Sequence, residues 1–293
     1  AKQMGGTGSD YGNSIVLDGS GNVYTTGFFE AAVDFDPGVG VANLTSTGAW
    51  DVFINKLDAS GNFLWAKKLG GVGNDVAYSI GLDGSGNIYT TGFFEGTADF
   101  DPGIGVVNLT SAGSWDIFIS KLDASGNFLW AKQLGGAGSD YGYSITLDGS
   151  GNVYTTGYFT GTADFDPGLG TANLTSAGFQ DIFISKLDVS GNFIWAKRLG
   201  GTSNDYGNSI VVDGSGNVYT TGSFENTADF NPAVASAFNL TSAGWGDNFI
   251  SKLDASGNFL SAIQMGGALD EYGSSIEMDA SGNVYIMGDQ YSG

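Results

Sequence analysis

Paired aspartates in the phrase ADFDPG have the spacing to do chemistry in this chain. Hard oxygen ligands at alternate positions suit Ca²⁺, which takes about six to eight oxygens, so calcium is the candidate cofactor. Alternate residues of an extended strand, however, point to opposite sides. An Asp-Pro turn whose carboxylates accept backbone N–H groups is therefore the alternative interpretation. The positions are Asp34 and Asp36, Asp99 and Asp101, Asp164 and Asp166, and Asp229, which is followed by Asn231.

A second recurring acid lies in the phrase GGTGSDYG (5–12) and its copies. Glycines near an acid suggest a phosphate cradle, but such a loop must open a helix, and here a strand-forming segment follows. The glycines instead suit a crossing between two strands, with the aspartate accepting hydrogen bonds from loop amides. These residues also fall on the face where we expect a ligand: Asp10, Asp75, Asp140 and Asp205.

Aromatic residues at similar places form a third recurring set. An exposed aromatic rim would stack on sugars, whereas a buried ring would pin a long loop onto the body of the protein. Both interpretations stay open for Trp50, Trp115, Phe179 and Trp245.

No catalytic constellation accompanies these candidates. The sequence contains neither histidine nor cysteine, so the commonest general base and thiolate chemistry are missing. Carboxylate pairs can cleave glycosides, but an enzyme needs residues unique to one place, and the copies here agree almost everywhere. We therefore expect a protein that is not an enzyme, with a carbohydrate-active or other hydrolytic enzyme as the alternative.

The elements that position these side chains repeat with a fixed period. Trp65, Trp130 and Trp195 end the same phrase, and 130 − 65 = 195 − 130 = 65. A fixed period of this kind indicates an array of one structural unit. The predicted repeats, within one domain over 1–293, are 1–65, 66–130, 131–195, 196–261 and a partial copy at 262–293.

Each repeat reads as two hairpins. In the third, the segments 143–148 and 152–159 flank the turn DGSGN, where Gly151 supplies a positive φ, and the segments 181–188 and 192–199 flank DVSGN. No segment shows the apolar spacing of a helix. Four strands per repeat, termed a to d, predict an all-β fold: a β-propeller of four-stranded antiparallel blades. A linear β-solenoid is the rival, but its rungs are usually shorter.

The segment WAKQLGGAGSDYGYSITLDGSGNVYTTGYF (130–159) resembles the bacterial beta-propeller repeat known as SBBP. The long segment TADFDPGLGTANLTSAG (162–178) resembles a version from secreted multi-repeat proteins of Bacteroidetes-type bacteria. The resemblance implies an extracytoplasmic propeller, either secreted or at the cell surface, and implies no chemistry. The last copy departs from the pattern, because Ser261 replaces the tryptophan.

Blade topology predicts where the loops lie. The a–b and c–d turns fall on one face, whereas the d–a loop and the long b–c segment fall on the other. Functional loops concentrate where length exceeds what a connection requires, so we expect any ligand on the b–c/d–a face.

Composition narrows the partners. A net charge of −21 from 31 acids and 10 bases argues against nucleic acid and anionic membrane surfaces. No stretch reaches the roughly 18–20 apolar residues of a membrane span. A protein or a surface glycan is the expected partner.

The sequence thus predicts a secreted or cell-surface propeller that acts as a structural, adhesive or binding module. A calcium-stabilised surface matrix or adhesin protein is a further alternative. The half repeat at the end would give five blades if the ring closes, and more blades, or a larger assembly, if the chain is a processed or partial piece.

Overall fold

The alternating segments form antiparallel strands in the computed structural model, which describes residues 3–233 and 236–291. These residues contain no helix, and so none long and apolar enough to cross a membrane. The chain divides into two compact units, Ala1–Gln133 and Leu134–Gly293. The prediction of one domain over 1–293 stays a prediction.

The first unit contains two four-stranded sheets in the predicted order a–b–c–d. The first sheet is β2–β3–β6–β7 and the second is β8–β9–β12–β13. The strands are β1 (Gly5–Gly6), β2 (Tyr11–Leu17), β3 (Val23–Phe29), β4 (Ala32–Asp34), β5 (Asn43–Thr45), β6 (Asp51–Leu57), β7 (Phe63–Gly71), β8 (Val76–Leu82), β9 (Ile88–Phe94), β10 (Thr97–Asp99), β11 (Asn108–Thr110), β12 (Asp116–Leu122) and β13 (Phe128–Gly136), the last of which ends in the second unit.

The second unit repeats the arrangement in the sheets β14–β15–β16–β17 and β18–β19–β20–β21, followed by the hairpin β22–β23. Here the arms of the long b–c segment are continuous with strands b and c. The strands are β14 (Tyr141–Leu147), β15 (Val153–Asp164), β16 (Asn173–Leu187), β17 (Phe193–Gly201), β18 (Asp205–Val212), β19 (Val218–Asp229), β20 (Asn239–Leu253), β21 (Phe259–Met265), β22 (Asp270–Met278) and β23 (Val284–Tyr291).

The hairpin turns have the predicted chemistry. Gly151 has φ 78°, its N–H donates to the carbonyl oxygen of Asp148 at 2.9 Å, and Asp148 Oδ1 accepts the N–H groups of Ser150 and Asn152. The same backbone pattern recurs in nine turns of the described chain. A carboxylate that binds its own turn fixes where each strand pair reverses.

Strand c is buried on both faces. All seven residues of β12 are buried. Within the first unit, Val52 and Ile54 share one core cluster with Ile80 and Phe94 of the next sheet. Each sheet is therefore a blade packed against its neighbour, and we call the contact between two blades of one unit a seam.

Strand d also joins neighbouring blades. Most of β7 pairs with β6, but its last two residues, Gly70 and Gly71, pair with Asp99 and Ala98 in the next blade. Glycine is required at this crossing, because a Cβ atom on Gly71 would lie 2.0 Å from the carbonyl oxygen of Thr97. The glycines that sequence reasoning assigned to a crossing therefore bring strand d against the b–c segment of the following blade.

Candidate functional site

The b–c segments, here called the inserts, span 32–45, 97–110, 162–175 and 227–241. They lie on the side of the blade that also carries the d–a loop, as predicted: Asn74 of that loop donates to Glu95 Oε2 at 2.7 Å, where strand b ends. On the other side the turns approach one another, since a Cβ on Gly21 would lie 3.3 Å from Ala59 Cβ. The two predicted faces are therefore present in each blade.

The residue between the paired aspartates anchors each insert, and sequence reasoning missed it. The ring of Phe165 is fully buried, with its centroid 5.4 Å from that of Phe159 and 5.0 Å from that of Phe183. Phe35, Phe100 and Phe230 repeat the arrangement. The signal was available, because alternation in an extended strand turns the phenylalanine inward when both aspartates point outward.

The paired aspartates themselves organise the turn. Asp34 Oδ1 accepts the N–H groups of Asp36 at 3.0 Å and Ala42 at 2.8 Å, and Asp36 Oδ1 accepts the N–H of Gly38 at 2.7 Å. These hydrogen bonds, that of Ala42 foremost, hold the pKa of Asp34 below its usual value. The same bonds recur at Asp99 and Asp101, at Asp164 and Asp166, and at Asp229 with Asn231.

This geometry is that of the turn alternative, in which carboxylates cap backbone amides. Within 3–233 and 236–291, no group of three or more acidic side chains converges where it could hold a metal ion. Calcium binding at these turns stays a prediction.

The loop aspartates lie beneath the surface. Asp75, Asp140 and Asp205 are fully buried, whereas Asp10 is half-buried. As expected, each accepts a loop amide: Gly71 N donates to Asp75 Oδ2 at 2.7 Å, and the equivalent bonds of the other three measure 2.7, 2.8 and 2.6 Å. The sequence placed all four on the ligand face. Asp75, Asp140 and Asp205 are not part of an exposed surface, because their buried carboxylates accept hydrogen bonds from the loop.

The four aromatic candidates fall into two pairs. Trp50, which is 36% exposed, contacts Phe28 with ring centroids 4.8 Å apart, and Trp115 contacts Phe93 at 5.8 Å, so both rings hold the segment between insert and strand c against the blade. Phe179 is 70% exposed and Trp245 is 85% exposed.

A one-residue offset explains the difference. Trp50 and Trp115 directly precede the first aspartate of strand c, whereas Phe179 and Trp245 stand two residues before it, with Gln180 and Gly246 in between. A shift of one residue in a strand moves the side chain to the opposite face. The expectation that all four occupy equivalent places is therefore wrong, because Phe179 and Trp245 lie one residue earlier than Trp50 and Trp115. This offset is visible in the sequence.

Each tryptophan of strand d packs edge-on against a tyrosine of strand b. Trp195 is buried with its ring centroid 6.2 Å from that of Tyr154, and Lys186 Nζ lies 4.8 Å from the centre of the same tyrosine ring. The last repeat keeps the lysine and tyrosine contact at Lys252 and Tyr219 although Ser261 replaces the tryptophan.

Equivalent clefts separate consecutive inserts inside each unit. The first, of about 610 Å³, has Lys67 and Lys68 in its floor and Asp101 and Asn108 in one wall. The second, of about 410 Å³, has Lys197 and Arg198 at the corresponding places. One of the two floor cations is already engaged, since Lys68 Nζ lies 3.1 Å from Asp51 Oδ2. The clefts are thus polar grooves of mixed charge.

Insert tips carry exposed aliphatic side chains. Val39, Ile104 and Leu169 have relative exposures of 108%, 108% and 109%. Their spacing is again 65 residues, since 104 − 39 = 169 − 104. The exposed part of each insert, with its tip and the adjacent cleft, is called the insert surface of its unit.

A repeat model described as a beta-propeller repeat, SBBP, matches residues 1–27, 64–92, 129–166 and 194–223. These four stretches, one in each predicted full repeat or at its boundary, are similar in sequence to SBBP. The matches at 64–92 and 194–223 run from strand d to strand b and stop before the inserts. The predicted resemblance is therefore confirmed for the blade, whereas most of the insert surface lies outside the SBBP matches.

Two curated relatives share part of the sequence. An uncharacterized WD repeat-containing protein of Acanthamoeba polyphaga mimivirus is 26% identical over 235 residues, covering 70% of this chain and 17% of its own length. Regulatory protein FlaEY of Caulobacter vibrioides is 25% identical over 204 residues, covering 68% of this chain and 21% of its own. The chain thus spans about a fifth of the length of the curated relatives it matches.

Among solved structures, the Neurospora crassa Pan2 WD40 domain aligns with 95% of this chain and 86% of its own, with 11% identity and a TM-score of 0.33. The protein BamB from Moraxella catarrhalis aligns with 94% of this chain and 93% of its own, with 13% identity and a TM-score of 0.25.

Proposed function

We propose that this chain is a non-catalytic binding module, secreted or displayed at the cell surface, that docks a protein partner on its insert surfaces. The SBBP-type blades supply the scaffold, and the inserts supply the contacts. A structural or adhesive role is the use that suits a module of repeated surfaces.

The exposed insert tips are the observation that carries this proposal. Single exposed aliphatic residues are common on proteins and need no explanation. A branched aliphatic residue that is wholly exposed at the same position of successive inserts is different, because each copy exposes apolar area with no contribution to its own blade. Burial of such tips in a partner would remove that apolar area from water.

The relatives support an interaction role. One is named as a WD repeat-containing protein and the other as a regulatory protein. Neither name describes an enzyme. The near identity of the copies in this chain also favours a repeated surface over a single active site.

The polar clefts favour a second candidate, a surface glycan. Each cleft combines two neighbouring cations with Asp or Asn side chains, which offer donors and acceptors for sugar hydroxyl groups. A glycan array read with the intact protein tests this candidate. Binding that disappears in Lys197→Ala but persists in Leu169→Ser would assign the ligand to the cleft.

The protein-partner proposal is tested by replacing the tips. Val39→Ser, Ile104→Ser and Leu169→Ser are combined in one variant, and the control combines Val189→Ser with Ile194→Ser, which alters exposed aliphatic residues away from the inserts. Site-specific crosslinking on intact source cells, followed by mass spectrometry of the adduct, identifies the partner.

We expect the tip variant to lose the crosslinked adduct at least tenfold and the control to keep it. Equal crosslinking of both variants would refute docking on the insert surface. Fractionation of the same cells with an antibody to the chain tests the location, and recovery from the cytoplasm alone would refute the surface assignment.

A further inference from the structure

Each seam brings two buried carboxyl groups against one glycine. In the first unit, a Cβ atom on Gly70 would lie 2.8 Å from Asp75 Oδ2 and 2.9 Å from Asp51 Oδ1, so both carboxyl groups approach the same point. Asp51 begins strand c of one blade, whereas Asp75 lies in the loop before the next blade. Both side chains are fully buried.

One carboxyl oxygen of this pair, Asp51 Oδ1, has no hydrogen-bond donor. Asp75 Oδ2 accepts Gly71 N at 2.7 Å and Asp75 Oδ1 accepts Glu95 N at 3.2 Å. Asp51 Oδ2 accepts Thr47 N at 2.8 Å and contacts Lys68 Nζ at 3.1 Å. Asp51 Oδ1 is buried and has no hydrogen-bond partner. A buried carboxylate oxygen without a donor is costly, and a proton bound by the pair would remove that cost.

The second unit also places two carboxyl groups against one glycine, although the strand-c oxygen nearest to that glycine is Oδ2 instead of Oδ1. A Cβ on Gly200 would lie 2.9 Å from Asp205 Oδ2 and 3.2 Å from Asp181 Oδ2, and Arg198 NH1 lies 2.6 Å from Asp181 Oδ2. Asp181 Oδ1 is again buried without a partner. Asp116 Oδ1 and Asp247 Oδ1 are likewise buried without a partner, so the unsatisfied oxygen is a property of the aspartate that begins strand c in all four blades.

The charges that face each pair do not balance. Around Asp51 and Asp75 the charged neighbours are the cation Lys68 and the anion Glu95. Around Asp181 and Asp205 they are Arg198 and Glu225, with the neutral phenol of Tyr206 alongside. One cation thus faces three carboxyl groups in each seam, and like charges in a buried site cannot all ionise.

We propose that Asp75 and Asp205, each packed against the carboxyl group that begins strand c, hold a proton in the folded protein, which makes each seam a pH-sensitive joint. The joint is tight in mildly acidic solution and loosens when the proton leaves in mildly alkaline solution.

The electrostatics agree with the geometry. Burial above all, and the neighbouring carboxylates in addition, raise the pKa of Asp75 to about 7 and that of Asp205 to about 7. A carboxyl group whose pKa is raised by folding stabilises the native state fully below its unfolded pKa of about 4, and that stabilisation is lost as pH rises through the folded value. The stabilisation is therefore lost between about pH 4 and about pH 7 and changes no further at higher pH.

The sharpest test compares Asp75→Asn with Asp10→Asn. Asp75→Asn removes the titrating proton. Its amide nitrogen replaces one oxygen that accepts a backbone N–H, so one loop hydrogen bond is lost with it. Asp10 makes the equivalent loop bond to Gly6 N. At Gly5, the counterpart of Gly70, a Cβ atom would meet only Asp10 Oδ2 within 4 Å among the described residues, so no second carboxyl group faces Asp10 there.

Unfolding by urea is measured at several pH values between 5 and 8 for each protein. The unfolding equilibrium constant of the wild type should rise by about tenfold per pH unit for each pair that holds a proton while the pH is below about 7, and should level off above it. Asp75→Asn should lose about one such tenfold step and Asp75→Asn/Asp205→Asn about two, whereas Asp10→Asn keeps the wild-type slope. Equal slopes for the wild type and the double variant would overturn the proposal.

A spectroscopic measurement keeps the test independent of variant folding. Infrared spectra of the intact wild type at pH 6 in D₂O should contain the carbonyl band of a protonated carboxyl group, and that band should fade above about pH 8. Absence of the band at pH 6 would also overturn the proposal.

Discussion

The phenylalanine between the paired aspartates offers a direct test of how the inserts are held. Phe165 and Phe179 are the same residue type on the third b–c connection, yet Phe165 is fully buried and Phe179 is 70% exposed. Replacement of each by alanine removes the same atoms from opposite environments. The difference between the two variants therefore isolates burial from chemistry.

The expected magnitude follows from the contacts. Phe165 lies between Phe159 and Phe183 with centroid distances of 5.4 and 5.0 Å, so Phe165→Ala leaves a cavity lined by two rings. Such a substitution costs about 3–5 kcal/mol in the free energy of unfolding. In a unit of this size that corresponds to a fall of roughly 6–20 °C in the melting temperature. Phe179→Ala should change the free energy of unfolding by less than about 0.5 kcal/mol.

Thermal melting followed by far-ultraviolet circular dichroism, with urea unfolding as a second measurement, decides the matter. A cost below about 1 kcal/mol for Phe165→Ala would show that the insert is not anchored by this ring. A similar loss in the free energy of unfolding for both variants would show that Phe165 and Phe179 do not differ in burial. Either outcome refutes the reasoning from alternation.

Three further predictions concern the turns. Gly151→Ala should lower the free energy of unfolding by about 1–2 kcal/mol because φ is 78° at this position. Gly149→Ala should leave it nearly unchanged, because the added Cβ meets no atom within 4 Å. Urea unfolding of both variants compares the two effects. Eight aspartates of the hairpin turns have pKa values below the usual value. At Asp18 the side-chain hydrogen bond of Asn22 is the main cause of the lowered pKa, and burial opposes it. The free energy of unfolding should therefore fall as the pH drops below about 4, which an acid titration followed by circular dichroism measures. The melting midpoint should be the same in calcium and in chelator, because amide groups already occupy Asp34 Oδ1; a higher midpoint in calcium would favour the calcium-stabilised adhesin.

Local patterns in the sequence were sufficient for the blade. The turn DGSGN specifies its own geometry, because the carboxylate of Asp148 and the positive φ of Gly151 act within five residues of chain. Alternation and the 65-residue period then predicted four strands per repeat and the face on which each loop lies. The chemistry of the candidate site was harder to predict, because strand alternation favours a capped turn over a metal site at the paired aspartates, but only the hydrogen-bond donors show which groups the carboxylates bind.

What the sequence by itself determined was therefore the repeat, its strands and its turns, all of which depend on residues close together in the chain. Only the tertiary structure decided that Asp51 and Asp75 meet in a seam, because they lie on different blades and their proximity depends on how those blades pack. It also decided that Phe179 faces solvent while Trp50 packs on a blade, since a one-residue offset matters only once the strand has an inside and an outside. Proximity and burial are properties of packing, and packing joins residues that no local pattern in the sequence connects.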